Sequence, residues 1–300
     1  MVTRQFETPI IRLVISEAVT MREALTRHWP EYLMEAAELA IFMVSACVFT
    51  MLLYHPSSPA LHAIPGEPIR RLLSGIAMGL TLVALVYSPW GKRSGAHMNP
   101  AFTLAFWGLG KVAPWDALFY VAAQFAGGIA GVGVVALVAE ASLAHPAVNY
   151  VATLPGEQGI WPAFTGEAVI SFVLLAVVLV TASKPTLAPR TGLIAGVCVA
   201  AFIALESPLS GMSMNPARSF GSAFFPHLWN SLWIYFVAPP LGMMAAAGVS
   251  FLCQRSAPCA KYHHQNRYRC IFCEFQAARK SPAHAASSNP LALARKESEG

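Results

Sequence analysis

Two identical triplets stand out as residues that could act on a solute: Asn99-Pro100-Ala101 recurs as Asn215-Pro216-Ala217. Each follows a short loop in a very apolar chain. Asparagine is a good N-cap, and proline suits the first helical position because its missing N–H would have no partner there. Each triplet therefore predicts a helix whose free N–H groups and positive dipole end lie at the asparagine. Two such ends facing each other would attract the oxygen of a water molecule and repel cations.

Apolar runs predict the elements that must hold these triplets. The chain is 56% hydrophobic and 12% charged, whereas soluble proteins are about 25% charged. A membrane-spanning helix needs about 20 apolar residues, and six runs fall near this length. They cover residues 32–54, 70–88, 115–139, 163–183, 190–206 and 230–252.

The stretches after the triplets are apolar but short. Residues 102–109 and 219–225 are too short to cross a bilayer, so we predict two re-entrant half-helices. Irregular backbone at membrane depth is tolerated only where it is buried in protein or lines a water-filled cavity. The sequence therefore predicts an all-α membrane protein with six spans, two half-helices and a pore between them.

The two halves of the chain, at about residues 31–140 and 163–252, repeat one another. Gly75-x-x-x-Gly79 in the second span is matched by Gly192-x-x-x-Gly196 in the fifth. Small residues at that spacing let helices approach closely. Each half holds three spans, which is an odd number, so the second half must enter the membrane from the opposite side and the repeat is inverted.

Basic residues predict the orientation. All but three of the 20 Lys and Arg residues fall on one side of the six-span arrangement, and this side should be cytoplasmic. We therefore expect a cytoplasmic segment over 1–30, a channel domain over 31–252 and a basic, partly disordered cytoplasmic tail over 253–300. Such a protein would sit in the cell (inner) membrane, and its net charge of +5 needs no nucleic-acid partner.

Arg218 directly follows the second triplet. A charge near membrane depth is costly and usually faces a cavity or a partner. We interpret Arg218 as a fixed cation at the narrowest part of the pore, with a snorkelling or structural arginine as the alternative. Backbone carbonyls of the two loops should line the pore as acceptors for water. These carbonyls belong to Gly95, Ala96, His97, Met98, Gly211, Met212, Ser213 and Met214.

Glu38 and Glu167 lie inside the first and fourth apolar runs. Carboxylates at such positions could relay protons or couple an ion, as in transporters. We favour a structural role, in which both acids accept hydrogen bonds from backbone groups of the loops. Two carboxylates that hold the loops in place in this way are more typical of a rigid pore than of a carrier that changes conformation.

These motifs resemble those of the aquaporin (major intrinsic protein) family. The resemblance covers about residues 32–252 and rests on the Glu167 segment, on Ala123-Gln124 and on two longer stretches. The stretches are Ser94-Gly-Ala-His-Met-Asn-Pro-Ala and Ser210-Gly-Met-Ser-Met-Asn-Pro-Ala-Arg-Ser-Phe-Gly. The resemblance implies a homotetramer with one pore per subunit and passive flux of water or small neutral solutes, without catalysis. In such pores the positive ends of half-helices exclude protons and cations.

The resemblance also implies a selectivity filter. It places the filter at Met78, Ile203, Met212 and Arg218. On the second span, a fixed count back from the first triplet would select Gly79 instead of Met78.

The residues that indicate the solute class point to two different branches of the family. Glyceroporins typically have Asp at the position of Ser219, and Tyr235-Phe236 resembles the aromatic pair of water-type members. Water-selective members, however, typically have Phe where Met78 lies and His where Ile203 lies. We therefore expect modest water flux with loosened selectivity. The alternative is a broader channel for glycerol, hydrogen peroxide, ammonia or metalloid acids.

The tail holds a second group of residues that could do chemistry. Cys270-Ile-Phe-Cys273 is a C-x-x-C motif, and Cys259 with His263 would complete four zinc ligands. Because only one C-x-x-C is present, other interpretations stay open: a redox pair, cysteines lipidated beside the membrane, and a basic segment on anionic lipid. The channel itself should need no cofactor.

Three functional classes compete. An enzyme is not expected, because no nucleophile–base set occurs among the pore residues. An ion-coupled carrier also uses inverted repeats and broken helices, but it should hold more intramembrane charges than Glu38, Glu167 and Arg218. A membrane-anchored metal or redox sensor built on the tail is the third class. The expected partners are water, small neutral solutes, the lipid bilayer and three further copies of the chain, and no nucleic acid.

Overall fold

The computed structural model describes residues 20–253 and 257–279, and these residues form eleven α-helices and two short 3-10 turns. The helices are α1 Met21–Tyr54, α2 Pro59–Ala63, α3 Glu67–Tyr87, α4 Pro89–Ser94, α5 Pro100–Gly108, α6 Pro114–Leu143, α7 Ile160–Ala182, α8 Thr191–Ser210, α9 Pro216–Phe224, α10 Leu232–Leu252 and α11 Ile271–Arg279. The turns are Asn149–Val151 and Ala188–Arg190.

Six of these helices are long and apolar enough to cross a membrane, which confirms the predicted spans. They are α1, α3, α6, α7, α8 and α10. The largest difference from the prediction is the start of α1, which begins at Met21 instead of residue 32. Thr20 caps this end and forms a capping box with Glu23, so the helix can start in polar sequence before it enters lipid.

The two half-helices, α5 and α9, are each nine residues long. At 1.5 Å per residue each reaches about 14 Å, which is roughly half of the hydrocarbon thickness of a bilayer. Asn99 caps α5 and Asn215 caps α9. The predicted all-α fold with six spans and two half-helices is therefore confirmed.

The two halves contact each other most closely where α3 crosses α8. A Cβ atom added at Gly75 would lie 2.4 Å from the carbonyl oxygen of Ala200, and one at Gly79 would lie 2.5 Å from that of Gly196. The rest of the packing follows the repeat, since α1 packs on α6 as α7 packs on α10. Glycine at these positions thus lets two backbones touch beside the pore.

Residues 257–279, hereafter the tail segment, differ from the expectation of a separate tail. They fold back onto the channel, and four of them are buried in the same hydrophobic core as the spanning helices: Cys259, Ala260, Tyr262 and Phe272.

The tail segment lies on the same side of the molecule as the start of α1. This is shown by Arg269 Nη1, which donates to the carbonyl oxygen of Arg27 at 3.1 Å. We call this side the tail side. The expected disorder of residues 281–300 and most of the predicted segment 1–30 lie outside the described residues.

Candidate functional site

The asparagines of the two triplets, Asn99 and Asn215, both line one cavity of about 340 Å³. Asn99 Nδ2 donates to the carbonyl oxygen of Met214, and Asn215 Nδ2 donates to that of Met98, each at 2.6 Å. The half-helix ends are therefore tied to each other reciprocally. Each amide nitrogen carries a second hydrogen that can bind a solute oxygen.

Capping fixes the orientation of both asparagines. Asn99 Oδ1 accepts from Ala101 N at 2.9 Å. Asn215 Oδ1 accepts from Ala217 N at 3.0 Å and from Arg218 N at 3.2 Å. With the oxygen held by the helix, the NH₂ group of each side chain must turn toward the opposite loop.

The loops before the triplets share an unusual backbone. Three residues in each loop have left-handed φ values between 48° and 105°. They are Gly95, Ala96 and Met98 in the first loop and Gly211, Met212 and Met214 in the second. For residues other than glycine this conformation costs about 1–2 kcal/mol each, so groups outside the loops must hold them in place.

Two buried carboxylates supply this support. Glu35 accepts from His97 N at 2.8 Å and from Met98 N at 2.6 Å. Glu167 accepts in the same way from Ser213 N at 2.6 Å and Met214 N at 2.7 Å. The expectation that Glu38 is the counterpart of Glu167 is therefore wrong, because Glu35 makes those bonds.

Glu38 is fully buried and plays a different part. Ser94 Oγ lies 3.1 and 3.2 Å from its two carboxylate oxygens, and Ser210 Oγ has a matching contact of 2.9 Å with Glu206. Glu35 and Glu206 were missed by the reasoning from sequence. A signal existed for Glu35, since it lies three residues before Glu38 and so shares its helix face.

The four residues assigned to the filter, Met78, Ile203, Met212 and Arg218, all line the cavity. Gly79 instead packs against Gly196. Arg218 Nη1 donates to the carbonyl oxygen of Val151 at 2.9 Å, which positions the guanidinium. Val151 was not foreseen, because it belongs to a 3-10 turn in a connecting loop without a motif.

The two loops whose carbonyls are expected to line the pore contribute unequally to the cavity. The carbonyl oxygens of Met98 and Met214 accept from the side-chain amides of Asn215 and Asn99. Residues 211–214 of the second loop line the cavity, and so do His97 and Met98 of the first. Among the described residues, Gly95 and Ala96 lie away from it. The carbonyl oxygen of Gly95 accepts from Tyr262 N at 3.3 Å, so the tail segment occupies a group that was expected to face water.

The sequence profile of one family, the major intrinsic proteins, matches residues 25–250. The chain belongs to this family. Among relatives, aquaporin NIP2-2 of Zea mays is 35% identical over 228 residues, which are 73% of this chain and 74% of the relative. Probable aquaporin AqpM of Archaeoglobus fulgidus is 34% identical over 180 residues, covering 58% and 72% of the two chains. The solved structure of an aquaglyceroporin from Plasmodium falciparum matches the fold with a TM-score of 0.62 at 17% identity, covering 74% of this chain and 95% of that one.

Membership of the major intrinsic protein family has three direct consequences. The chain is an integral, multi-pass membrane channel for small solutes, and it is not an enzyme. Channels of this family use no cofactor. Because the family match ends at residue 250, the tail segment lies beyond the part of the chain that the family shares.

On the tail side the cavity ends at two buried side chains, His97 and Tyr262. The Tyr262 ring stacks on Phe102 at 4.6 Å, and the His97 ring stacks on Phe272 at 5.2 Å with an angle of 6° between planes. His97 Nε2 also lies 2.6 Å from the carbonyl oxygen of Ala260. At the other end the cavity reaches Glu67, which is exposed. In this structure the tail segment therefore covers one mouth of the pore.

The tail segment also brings four potential metal ligands together. They are Cys259, His264, Cys270 and Cys273, whose ligand atoms all lie within 4.8 Å of one another. The expectation of His263 is corrected to His264, because the His263 ring faces the Tyr87 ring at 5.0 Å instead. The hydrogen bond with Cys259 lowers the pKa of the Cys270 thiol.

Proposed function

We propose that the chain is a passive channel for water and small neutral solutes that excludes ions and protons. The observation that carries this proposal is the single cavity lined by Asn99, Asn215 and Arg218. Two capped helix ends and one guanidinium place three positive groups along one path.

Exclusion would work through orientation and charge. A water molecule between Asn99 and Asn215 turns its oxygen toward both NH₂ groups, so it cannot also accept a proton from its neighbour. The proton wire is broken at this point. The helix dipoles and the guanidinium of Arg218 add an electrostatic barrier to cations and hydronium.

The filter supports a broad choice of neutral solutes. Met78, Ile203 and Met212 make it apolar on three sides, and Arg218 supplies the donors. Methionine side chains are flexible and adapt to solutes of different shape. We propose modest water flux together with hydrogen peroxide, ammonia, glycerol or metalloid acids. The relative named an aquaporin and the structural neighbour named an aquaglyceroporin are both compatible with this range.

An ion-coupled carrier is the second candidate, and the contacts of the buried acids argue against it. Glu35, Glu38, Glu167 and Glu206 all accept hydrogen bonds from the loop residues or the serines before them. Carboxylates committed to holding loops are poorly suited to loading and releasing an ion in each cycle.

Stopped-flow light scattering on proteoliposomes tests the proposal. The wild-type chain and Tyr262→Ala should both be measured, because Tyr262 closes the tail-side mouth. We expect water, glycerol or peroxide flux above that of empty liposomes, without saturation and without dependence on an imposed pH gradient. No acceleration in either protein would refute a channel, and saturating flux driven by the pH gradient would establish the carrier.

We further propose a homotetramer in the cell (inner) membrane with both termini in the cytoplasm. The distribution of Lys and Arg supports the orientation, and the family resemblance supports the tetramer. Since one chain lines the whole cavity, each subunit would carry its own pore. Native mass spectrometry should show four copies of the 32.2-kDa chain, and a monomer would contradict this assembly.

A further inference from the structure

We propose that Cys259, His264, Cys270 and Cys273 bind a zinc ion that holds the tail segment in the pore mouth, so that the bound metal closes the channel. The gating part rests on the proposed function. The metal site itself does not, because it can be measured without any flux.

Two of the ligand–ligand distances are already close to those of a tetrahedral zinc site. The Sγ atoms of Cys259 and Cys270 are 3.4 Å apart, and Cys273 Sγ lies 3.7 Å from His264 Nε2. A zinc ion with Zn–S bonds of about 2.3 Å requires S···S edges of about 3.8 Å. Side-chain adjustments of up to about 1 Å would therefore bring all four ligand atoms, which lie within 4.8 Å of one another, to this spacing.

The donor set selects zinc. Three thiolates and one imidazole form a common structural zinc set, and a closed set of four protein ligands leaves no position open for catalysis. Cys259 is buried, whereas the other three ligands are partly exposed, so an ion can enter from the tail side. Binding displaces the thiol protons to solvent and involves no oxidation or reduction.

Charge also favours this site. Three thiolates around Zn²⁺ leave one net negative charge. The buried ammonium of Lys261 lies in the same segment, where its Nζ donates to the carbonyl oxygens of Lys92 at 2.8 Å and Arg269 at 3.1 Å. Burying the lysine next to a site with a net negative charge costs less free energy than burying either charge alone.

The ligands bracket the residues that close the pore. Tyr262, at the end of the cavity, lies in sequence between Cys259 and His264. Phe272, which stacks on His97, lies between Cys270 and Cys273. A single ion would therefore fix both aromatic side chains against the pore mouth.

The inverted repeat provides an internal comparison. A Cβ atom at Gly95 of the first loop would meet Phe272 at 3.0 Å and Lys261 at 3.1 Å, both in the tail segment. At its counterpart Gly211, which lines the cavity, the added Cβ would meet the backbone of Thr153 and Leu154 at 3.2 Å. The two loops otherwise have matching backbones and matching carboxylates. What distinguishes the tail-side mouth is that a residue of the tail segment, Tyr262, itself lines the cavity.

Without the ion, the tail segment has little local structure to keep it in place. Residues 257–270 are irregular, and α11 has nine residues, which is below the length at which isolated helices are stable. In small irregular segments the free energy of metal binding becomes free energy of folding. Removal of zinc should therefore release the segment and open the pore.

The metal site is tested on the full-length protein by metal analysis. We expect about one zinc per chain in the wild type, most of it lost in His264→Ala and in Cys270→Ser. His263→Ala and Cys253→Ser are the matched controls, and both should retain the metal. Cobalt in place of zinc should give tetrahedral and thiolate-to-cobalt absorption bands that Cys270→Ser abolishes. Equal zinc in His264→Ala and His263→Ala, or a disulfide between these cysteines in the protein as purified under reducing conditions, would overturn the site.

The gate is tested by flux in the same preparations. Chelation of the wild type, or His264→Ala, should raise flux about tenfold, as expected when an equilibrium shifts from mostly closed to mostly open. Tyr262→Ala should raise flux while the protein retains its zinc, because the substitution removes the side chain that closes the pore mouth and leaves the four metal ligands unchanged. Equal flux with and without zinc in a conducting protein would refute the gate. If no variant conducts but zinc is bound as expected, the proposed channel function fails and the metal site stands.

Discussion

At the scale of single residues, the pore depends on buried groups that hold strained loops. Glu35 and Glu167 each accept two backbone N–H groups next to left-handed residues. An ordinary buried amide N–H without a partner costs about 1–3 kcal/mol. The carboxylates are therefore as necessary to the pore as the asparagines whose positions they fix.

Glu35→Gln should lower the free energy of unfolding by about 1–3 kcal/mol. His97 N and Met98 N bind different oxygens of Glu35, and in glutamine one of these oxygens is replaced by an NH₂ donor, so one of the two N–H groups loses its acceptor. Glu38→Gln is the control, since Ser94 Oγ can donate to an amide oxygen as well as to a carboxylate, and its effect should be smaller. Thermal unfolding in detergent measures both variants. Equal destabilisation by the two would contradict the assignment of Glu35.

Arg218→Val should increase cation or proton leak by at least about tenfold. At an effective dielectric constant of 20, two unit charges 4 Å apart repel by about 4 kcal/mol, and this barrier is lost with the guanidinium. Arg218→Lys keeps a charge and should leak less. Leak into dye-loaded liposomes should be measured in the Tyr262→Ala background, where the mouth is open. An unchanged leak would show that Arg218 does not lie at the constriction.

At the scale of helices, the crossing of α3 and α8 sets the width of the filter. Met78 on α3 and Ile203 on α8 line the cavity, and the glycines beside them bring the two backbones into contact. Larger residues at the crossing would push the helices apart and move both filter side chains.

Gly75→Ala should therefore destabilise the protein by about 1–3 kcal/mol, as expected for an overpacked core. The added Cβ would lie 2.4 Å from the carbonyl oxygen of Ala200. Gly248→Ala on α10 is the matched control, because nothing lies within 4 Å of its added Cβ, and it should be neutral. Melting temperature and solute selectivity measure the two effects. A neutral Gly75→Ala would show that the helices are not in close contact.

At the scale of the whole molecule, the channel is asymmetric because one mouth carries the tail segment. The start of α1 and the tail segment lie on the same side, whereas exposed Glu67 borders the opposite mouth. The orientation in the membrane thus decides which compartment can control the pore.

Labelling from each side of the membrane tests the orientation. Cys253 is exposed on the tail side, so a membrane-impermeant maleimide should label it in inside-out vesicles and not in right-side-out vesicles. Glu67→Cys in a Cys253→Ser background is the control, and residue 67 should show the reverse pattern. The labelled peptide should be identified by mass spectrometry, because Cys270 and Cys273 on the tail side are partly exposed as well. Labelling of Cys253 from outside would place the tail segment, and the proposed control by zinc, outside the cell.

Most of the fold follows from local features of the sequence. Long apolar runs can only be satisfied as spanning helices, and the asparagine and proline of each triplet start a half-helix through local capping that needs no distant partner. Tertiary structure decided the rest. Glu35 was preferred over Glu38, and His264 over His263, by distances between groups far apart in the chain. The tail segment is mostly polar in sequence, but a few of its apolar residues, such as Tyr262 and Phe272, are buried against the channel. The surface on which they pack lies at the pore mouth. This surface exists only after the helices have assembled, so the sequence alone does not reveal it.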